Sequence, residues 1–203
     1  SDRGLCGSFN TNIPRQAESI IDAAGKENSK LICIGRKGYE YFGKRGYDVV
    51  EHYADFWNEL NFSHATKMAR GITQRYLSGE FDDVRVIFNE FKNVAQQKIL
   101  EYHYLPLVLE DDAEEVSTDY LFEPSKDEVV KSLVPRHLNI QMWRFLLESY
   151  ASEQAARMTS MEAATNNAGD LIDRLRLEYN KARQAAITTE ILEVVSGAEA
   201  LVE

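Results

Sequence analysis

Hydrophobic residues follow two different patterns on the two sides of Asp127. Before it, apolar runs of strand length alternate with segments in which apolar residues recur every three or four positions. After it, the helical spacing continues almost without interruption to the end of the chain. Because alternating strand and helix patterns are typical of α/β domains, we predict an α/β domain over residues 1–126 and a long C-terminal helix over residues 127–203.

The first part of the chain predicts a layered sheet. Leu31 to Gly35 is a short apolar run, which favours a strand buried on both faces of a parallel sheet. The strands predicted at 84–90 and 97–105 are joined by a link too short for a crossover helix, so they should form an antiparallel hairpin. The domain is therefore expected to be a mostly parallel, Rossmann-like sheet with an antiparallel edge. The other predicted elements are helices at 12–24, with Pro14 in its first turn, at 38–46 and at 63–78, with Ser63 as its N-cap and Gly79 as its stop, and a strand at 47–50.

The long helix carries an apolar stripe. From Pro135 to about Val202 only Gly169 and Gly197 weaken the helical pattern, and Pro135 is expected to start or kink the helix. Small and apolar residues recur at alternating spacings of four and three, which is typical of the seam of a left-handed coiled coil. A helix of this length needs a partner helix to cover such a stripe. The seam residues are Ala168, Ile172, Leu175, Tyr179, Ala182, Ala186 and Thr189.

Composition narrows the possible functions. The 203 residues are 44% hydrophobic and 28% charged, which is sufficient for a packed core. The formal net charge is -10, and no dense basic patch offsets it, so we expect no nucleic-acid partner. No stretch is long and apolar enough to cross a bilayer, and no secretory signal is visible.

Cysteines and histidines indicate no metal site. Cys6 and Cys33 lie far apart in the sequence and are expected to be packed thiols in a reducing compartment. We expect no catalytic residue, no cofactor and no bound metal. The four histidines show neither metal-ligand spacing nor an evident nucleophile partner: His52, His64, His103 and His137.

The first residues are typical of a loop that leads into a helix. The chain begins with Ser1, which lies within this loop. We therefore expect that an N-terminal part precedes this loop. Gly4 and Gly7 resemble a phosphate-cradling loop, which keeps a nucleotide-binding α/β protein open as an alternative. A tight turn is the favoured interpretation, because no Walker lysine–serine pair and no full dinucleotide fingerprint accompany the glycines.

The most specific motif lies near the C-terminus. Residues 187–200, ITTEILEVVSGAEA, resemble the C-terminal signature of the gamma subunits of rotary (F-type) ATP synthases. Residues 179–186 (YNKARQAA), 161–169 (MEAATNNAG) and 1–7 (SDRGLCG) resemble the same family. The resemblance spans the chain, with one departure at the front: the family carries a long N-terminal helix and a first strand before the SDRG loop.

The resemblance implies a central-stalk rotor subunit that is not itself an enzyme. In this family the N- and C-terminal helices form an antiparallel coiled coil, so the long helix here would be half of it. The implied partners are the alpha and beta subunits, the epsilon subunit and the c-ring, and no direct membrane span is implied. Torque would pass between the c-ring and the catalytic hexamer, on the inner side of an energy-coupling membrane such as the cytoplasmic face of a bacterial inner membrane.

Carried over residue by residue, the resemblance implies contacts at two ends of the stalk. The segment 119–124 matches the foot, where Tyr120, Phe122 and Glu123 would meet the c-ring and epsilon. Without the resemblance, the foot residues would be read as an ordinary loop, and the residues that match beta-subunit contacts would be read as a solvated helix face. The residues that match beta-subunit contacts are Arg183, Gln184, Thr188, Glu190 and Glu193.

A free-standing coiled-coil adaptor is the other alternative. It would form a homodimer through its own seam, whereas the rotor requires a partner helix of different sequence.

Overall fold

The computed structural model describes residues 1–94, 96–107, 123 and 125–199. It divides into two compact units, Ser1–Thr159 and Ser160–Glu203. The predicted α/β class and long C-terminal helix are confirmed, while the domain boundary between residues 126 and 127 stays a prediction. The elements are α1 (Phe9–Ala24), β1 (Leu31–Ile34), α2 (Arg36–Gly43), β2 (Val49–Tyr53), α3 (Phe62–Leu77), β3 (Val84–Phe91), β4 (Gln97–Leu105) and α4 (Lys126–Glu199), with short 3₁₀ helices at Lys26–Asn28 and Trp57–Glu59.

The four described strands form two separate pairs. β1 and β2 are parallel, with Ile34 opposite Tyr53, and β3 and β4 form an antiparallel hairpin, with Asn89 opposite Ile99. The predicted hairpin is confirmed. A single continuous sheet was expected, but hydrogen bonding among these strands gives two two-stranded sheets, because an apolar cleft lies between β1 and β3.

Hydrophobic residues form two cores on opposite faces of the strands. The larger core contains Met68 of α3, Phe88 of β3, Tyr104 of β4 and Phe145 of α4. Ile32 and Ile34 pack against this core, whereas Cys33, between them in β1, belongs to the smaller core with Ala17, Ile21 and Phe42. Since successive strand residues point to opposite faces, α1 and α2 cover one face of β1, and α3 and α4 cover the other.

The N-cap of α3 is Asn61, so the prediction of Ser63 is wrong. The Asn61 side-chain oxygen accepts a hydrogen bond of 3.1 Å from the backbone N–H of Ser63. His64 Nδ1 in turn accepts a bond of 3.3 Å from the Asn61 N–H, which completes a capping box. Gly79 follows the helix at φ 76°, which confirms it as the stop, since glycine adopts this left-handed conformation without steric cost.

Other element boundaries differ from prediction by a few residues. α1 begins at Phe9. Pro14 was expected in the first turn of this helix, and it lies beyond that turn. α2 covers Arg36–Gly43 rather than 38–46. β2 starts at Val49 rather than at residue 47, because Tyr47 packs edge-on against Phe42 instead of joining the strand.

α4 begins at Lys126 and continues through Pro135, so Pro135 is not its start. The side-chain oxygen of Ser125 accepts from the Glu128 N–H at 3.3 Å, and the Ser125 carbonyl accepts from the Val129 N–H at 3.1 Å. A serine at this position and acidic residues in the first turn stabilise a helix N-terminus, which fixes the start upstream of the proline.

The second unit continues α4 from Ser160. All residues from 161 to 198 are exposed, including the apolar ones. At about 1.5 Å per residue, the helical stretch from Ser160 to Glu199 is about 60 Å long. Across the described part of the chain, no helix has the combined length and apolarity that crossing a bilayer requires.

Candidate functional site

The SDRG loop at the start of the chain joins three segments through Asp2. The Asp2 carboxylate accepts hydrogen bonds from the backbone N–H groups of Arg36, at 2.7 Å, and Asp55, at 2.6 Å. Arg36, the first residue of α2, also forms an ion pair with Asp55. Asp2 therefore fills the N-terminus of α2 and fixes the segment that follows β2.

The loop makes a tight turn at Gly7, as the favoured interpretation predicted. Gly7 has φ 57°, and the Phe9 N–H donates to the Cys6 carbonyl at 3.2 Å. The Asn10 side chain donates to the Arg3 carbonyl at 3.0 Å, which ties the first turn of α1 back to the loop. These contacts explain the sequence pattern by local structure.

Both cysteines are free and buried, as predicted. Burial raises the pKa of the Cys33 thiol to about 11, because its thiolate would be poorly solvated between α1 and α2. Over the described ranges, no group of three or more His, Cys, Asp or Glu side chains is arranged to hold a metal ion.

The five residues predicted to contact beta subunits lie on the exposed part of α4. Arg183, Gln184, Thr188, Glu190 and Glu193 are all exposed. The Thr188 hydroxyl donates to the Gln184 carbonyl at 2.9 Å, and no ion pair involves Arg183, Glu190 or Glu193 within residues 125–199. Their charges are therefore available to an external partner.

These five residues do not share one face of the helix. At 3.6 residues per turn, Arg183 and Glu190 lie two turns apart on one side. Gln184 and Thr188 lie one turn apart on a second side. A partner surrounding the helix reaches both groups, whereas a single flat partner reaches only one.

The predicted seam is exposed along the same helix. Ile172, Leu175 and Tyr179 are 49%, 53% and 69% exposed. The carboxyl-terminal apolar residues Ile191 and Leu192 are 56% and 61% exposed. Exposed apolar residues in such number on one helix are typical of a surface that another chain segment covers.

Only one of the three predicted foot residues is among the described residues. Glu123 is exposed, whereas Tyr120 and Phe122 lie outside the described residues. The three predicted foot contacts are therefore not brought together by any described geometry.

Comparison with known proteins gives one family. A family model described as ATP synthase matches residues 1–201. An ATP synthase gamma chain from Chloroherpeton thalassium is 48% identical over 217 residues, covering 99% of this chain and 71% of that relative. An ATP synthase gamma chain from Prosthecochloris aestuarii is also 48% identical, over 206 residues, covering 99% of this chain and 70% of the relative.

Solved structures agree with this family. A chain from the central stalk and c-ring of the Tetrahymena thermophila mitochondrial ATP synthase is 28% identical, with a TM-score of 0.61, covering 81% of this chain and 73% of that one. A chain from the Euglena gracilis mitochondrial enzyme, in a structure of its OSCP, F1 and c-ring, has a TM-score of 0.71 at 21% identity, covering 99% of this chain and 70% of that one. The second likeness shows the fold alone.

Proposed function

The chain belongs to the ATP synthase gamma-chain family, and from this premise we propose that it carries torque in the central stalk between the membrane c-ring and the catalytic alpha/beta hexamer. One observation carries the proposal: α4 is a continuous helix of 74 residues whose stretch from 161 to 198 is exposed throughout. A stiff helix with an uncovered surface suits a shaft that turns inside other subunits.

The beta subunits meet the shaft, in this proposal, at Arg183, Gln184, Thr188, Glu190 and Glu193. Their distribution over more than one side of α4 supports a sleeve around the helix. The exposed charges of Arg183, Glu190 and Glu193, which form no ion pair within residues 125–199, support polar contacts that form and break as the shaft turns. Large aromatic anchors would hold one orientation, and none occurs from residue 183 to the end of the chain.

The foot meets the c-ring and the epsilon subunit, in this proposal, through Tyr120, Phe122 and Glu123. The exposed side chain of Glu123 supports this assignment. The family is part of a membrane-associated complex, and we place this chain on its inner side, which in a bacterium is the cytoplasmic face. Catalysis belongs to the hexamer in this proposal, and the chain supplies no catalytic residue or cofactor.

The test replaces Arg183 and Glu190, two of the predicted beta contacts, which share a face of α4; this double substitution is called the tip variant. An ATP synthase reassembled with Arg183→Ala and Glu190→Ala in this chain should hydrolyse ATP at least about fivefold more slowly, because each lost polar contact contributes about 1 kcal/mol at some rotary position. Subunit stoichiometry should stay normal. Single-molecule rotation should show longer pauses.

The matched control is Asp173→Ala with Arg176→Ala, an exposed ion pair on the same helix with a 3.6 Å separation. It should leave hydrolysis within about twofold, because exposed pairs of this kind contribute little. Equal rates for the tip variant, its control and the unchanged chain would contradict the assigned beta contacts. Failure of the unchanged chain to assemble with alpha and beta subunits would contradict the rotor function itself.

A further inference from the structure

Buried polar side chains are concentrated at one place in the first unit. Apart from tyrosine and cysteine, the only polar residues buried among those described are Asn89 of β3, and Ser152 and Glu153 of α4. Glu153 pairs with Arg157 of the same helix, at 2.6 Å between Oε1 and the guanidinium. Ser152 instead reaches the strand, because its hydroxyl donates to the Asn89 carbonyl at 3.2 Å. Since burying a polar group is costly, such a contact indicates a specific requirement at this position.

A second serine of α4 meets the same strand residue. The Asn89 N–H donates to the Ser149 hydroxyl oxygen at 3.5 Å, so both backbone polar groups of Asn89 face hydroxyls of α4. Ser149 and Ser152 are three positions apart and therefore lie on one side of the helix. Further towards the start of α4, the Tyr104 hydroxyl of β4 donates to the Leu138 carbonyl at 3.0 Å. Directional contacts thus hold α4 to the β3–β4 hairpin at two points, which are about 21 Å apart along the helix.

The packing between these two points is apolar. Met142, Phe145 and Leu146 of α4 belong to the larger core. Hydrophobic contact is non-directional, and packed helices can shift past their neighbours by as much as one turn. Hydrogen bonds have narrow requirements of distance and angle, so they define one rotation and one axial position of α4 on the hairpin. Ser152 makes the hairpin contact nearer to Thr159, where the first unit ends.

We propose that Ser152 is a positioning residue for torque: its hydrogen bond to Asn89 sets the rotational position of α4 on the hairpin and prevents the helix from slipping. The inference rests on the proposed function, in which force enters the first unit and leaves along α4. α4 is the element that continues from the first unit into the second. Any slip of α4 on the hairpin therefore subtracts from the rotation that reaches its exposed stretch. A free-standing adaptor carries no torque and does not need this contact.

The first test measures the position of α4 on the hairpin in the chain itself. Spin labels at Lys98→Cys of β4 and Arg136→Cys of α4, both exposed positions, report one distance by double electron–electron resonance. The two native cysteines are buried, so the folded chain should be labelled only at the new ones. Ser152→Ala should add a second distance, displaced by up to about 5 Å, which is one helical turn. A single distance identical to that of the unchanged chain would overturn the proposal.

The second test measures coupling in an ATP synthase reassembled with the variant. With Ser152→Ala, the number of protons pumped per ATP hydrolysed should fall at least about twofold, because losing a buried hydrogen bond lets part of each rotary step be lost as slip. The rate of hydrolysis should stay within about twofold, since the residues assigned to beta contacts are unchanged. Ser152→Cys keeps nearly the same volume but donates only weakly, so its pumping ratio should be intermediate.

Two controls separate positioning from stability. Ser132→Ala makes the same change at an exposed residue of α4, whose hydroxyl donates to the Val129 carbonyl of its own helix at 2.9 Å, and it should alter neither measurement. Ile21→Val weakens the smaller core, to which no described residue of α4 belongs. It should lower stability without changing the pumping ratio. Equal pumping ratios for Ser152→Ala and Ile21→Val would overturn the proposal, because Ser152 would then act through stability alone.

The two tests also distinguish this inference from the proposed function. A second spin-label distance combined with a normal pumping ratio would overturn the torque role of Ser152 and leave the rotor function intact. Failure of the unchanged chain to support any pumping after reassembly would contradict the rotor function, and the inference that rests on it would fall with it.

Discussion

Asp2 shows how much a single side chain holds together. It lies 34 positions from Arg36 and 53 from Asp55, and it binds the backbone N–H of both. Nothing in the spacing of residues along the chain indicates these contacts, because hydrogen bonds at such separations depend on the tertiary fold. The resemblance drew attention to the SDRG loop, but only the tertiary structure gives its structural role.

Asp2→Ala should lower the free energy of unfolding by about 1–2 kcal/mol. Two charge-assisted hydrogen bonds to backbone donors are lost, and water replaces part of them at this half-buried position. Urea unfolding followed by circular dichroism measures the change. Asp48→Ala is the control, since Asp48 is exposed and should cost no more than about 0.5 kcal/mol. Equal effects of the two substitutions would contradict the bridging role of Asp2.

Cys33 should make stability depend on pH above the ordinary pKa of its thiol. The unfolded chain releases this proton near pH 9.0, whereas burial holds it in the folded chain to about pH 11. The folded state therefore binds more protons in this window, and the free energy of unfolding should fall as the pH rises from 9 to 11, by about 2 kcal/mol. Below pH 9 this group should have no effect.

Chemical denaturation at pH 8, 9, 10 and 11 tests this dependence. Cys33→Ala is the matched control, because it keeps a small apolar side chain and removes the proton. Its decline over the window should be smaller by the amount assigned to the thiol. Parallel declines in both proteins would show that tyrosines or other groups, and not Cys33, dominate the pH dependence.

Periodicity identified the secondary structure elements reliably, but beyond the hairpin it did not show how the strands are arranged in sheets. β4 at Gln97–Leu105 matches its prediction, because alternating residues and a short link specify a hairpin locally. The division into two sheets was not predicted, because an apolar run such as 31–35 shows that a strand is buried and not which strands flank it. The capping box of α3 was readable from Asn61 and His64, but histidine is not among the residues usual at its third position.

α4 holds the first unit together through Phe145. This ring packs against Phe88 of β3, Tyr102 and Tyr104 of β4 at centroid distances of 4.7, 5.1 and 6.1 Å. The Tyr104 hydroxyl donates to the Leu138 carbonyl of the same helix at 3.0 Å. The first part of α4 is therefore a core helix, although the sequence assigned the whole of it to a coiled coil.

Phe145→Ala should destabilise the chain by about 3–5 kcal/mol, because it leaves a cavity among these rings. Leu147→Ala, two residues along the same helix, removes a side chain that is 42% exposed and should cost less than about 1 kcal/mol. Thermal unfolding measured at 222 nm and by tyrosine fluorescence compares the two. Similar losses would mean that α4 contributes to the fold by helix propensity rather than by packing.

At the scale of the whole molecule, the two units differ in what stabilises them. The first has two apolar cores, whereas all residues from 161 to 198 of the second are exposed. The sequence predicted this difference, because the seam repeats at coiled-coil spacing and contains alanines that bury little area. It did not specify the partner, since a seam shows the presence of a covering helix but not its identity.

The exposed seam should make the purified chain self-associate as its concentration rises. Ile172, Leu175 and Tyr179 leave a few hundred Å² of apolar surface in water, and covering it contributes several kcal/mol at about 25 cal/mol per Å². Sedimentation velocity should show a mixture of species at high concentration that dissociates on dilution. Replacing all three residues with Gln should give a monomer, whereas Asp170→Gln, Arg174→Gln and Lys181→Gln, on the opposite side of the helix, should leave self-association unchanged.

A dimer of fixed stoichiometry that persists on dilution would favour the homodimeric adaptor, because a rotor seam is matched to a helix of different sequence. A monomer at every concentration, with helicity maintained, would show that these residues do not form an adhesive seam.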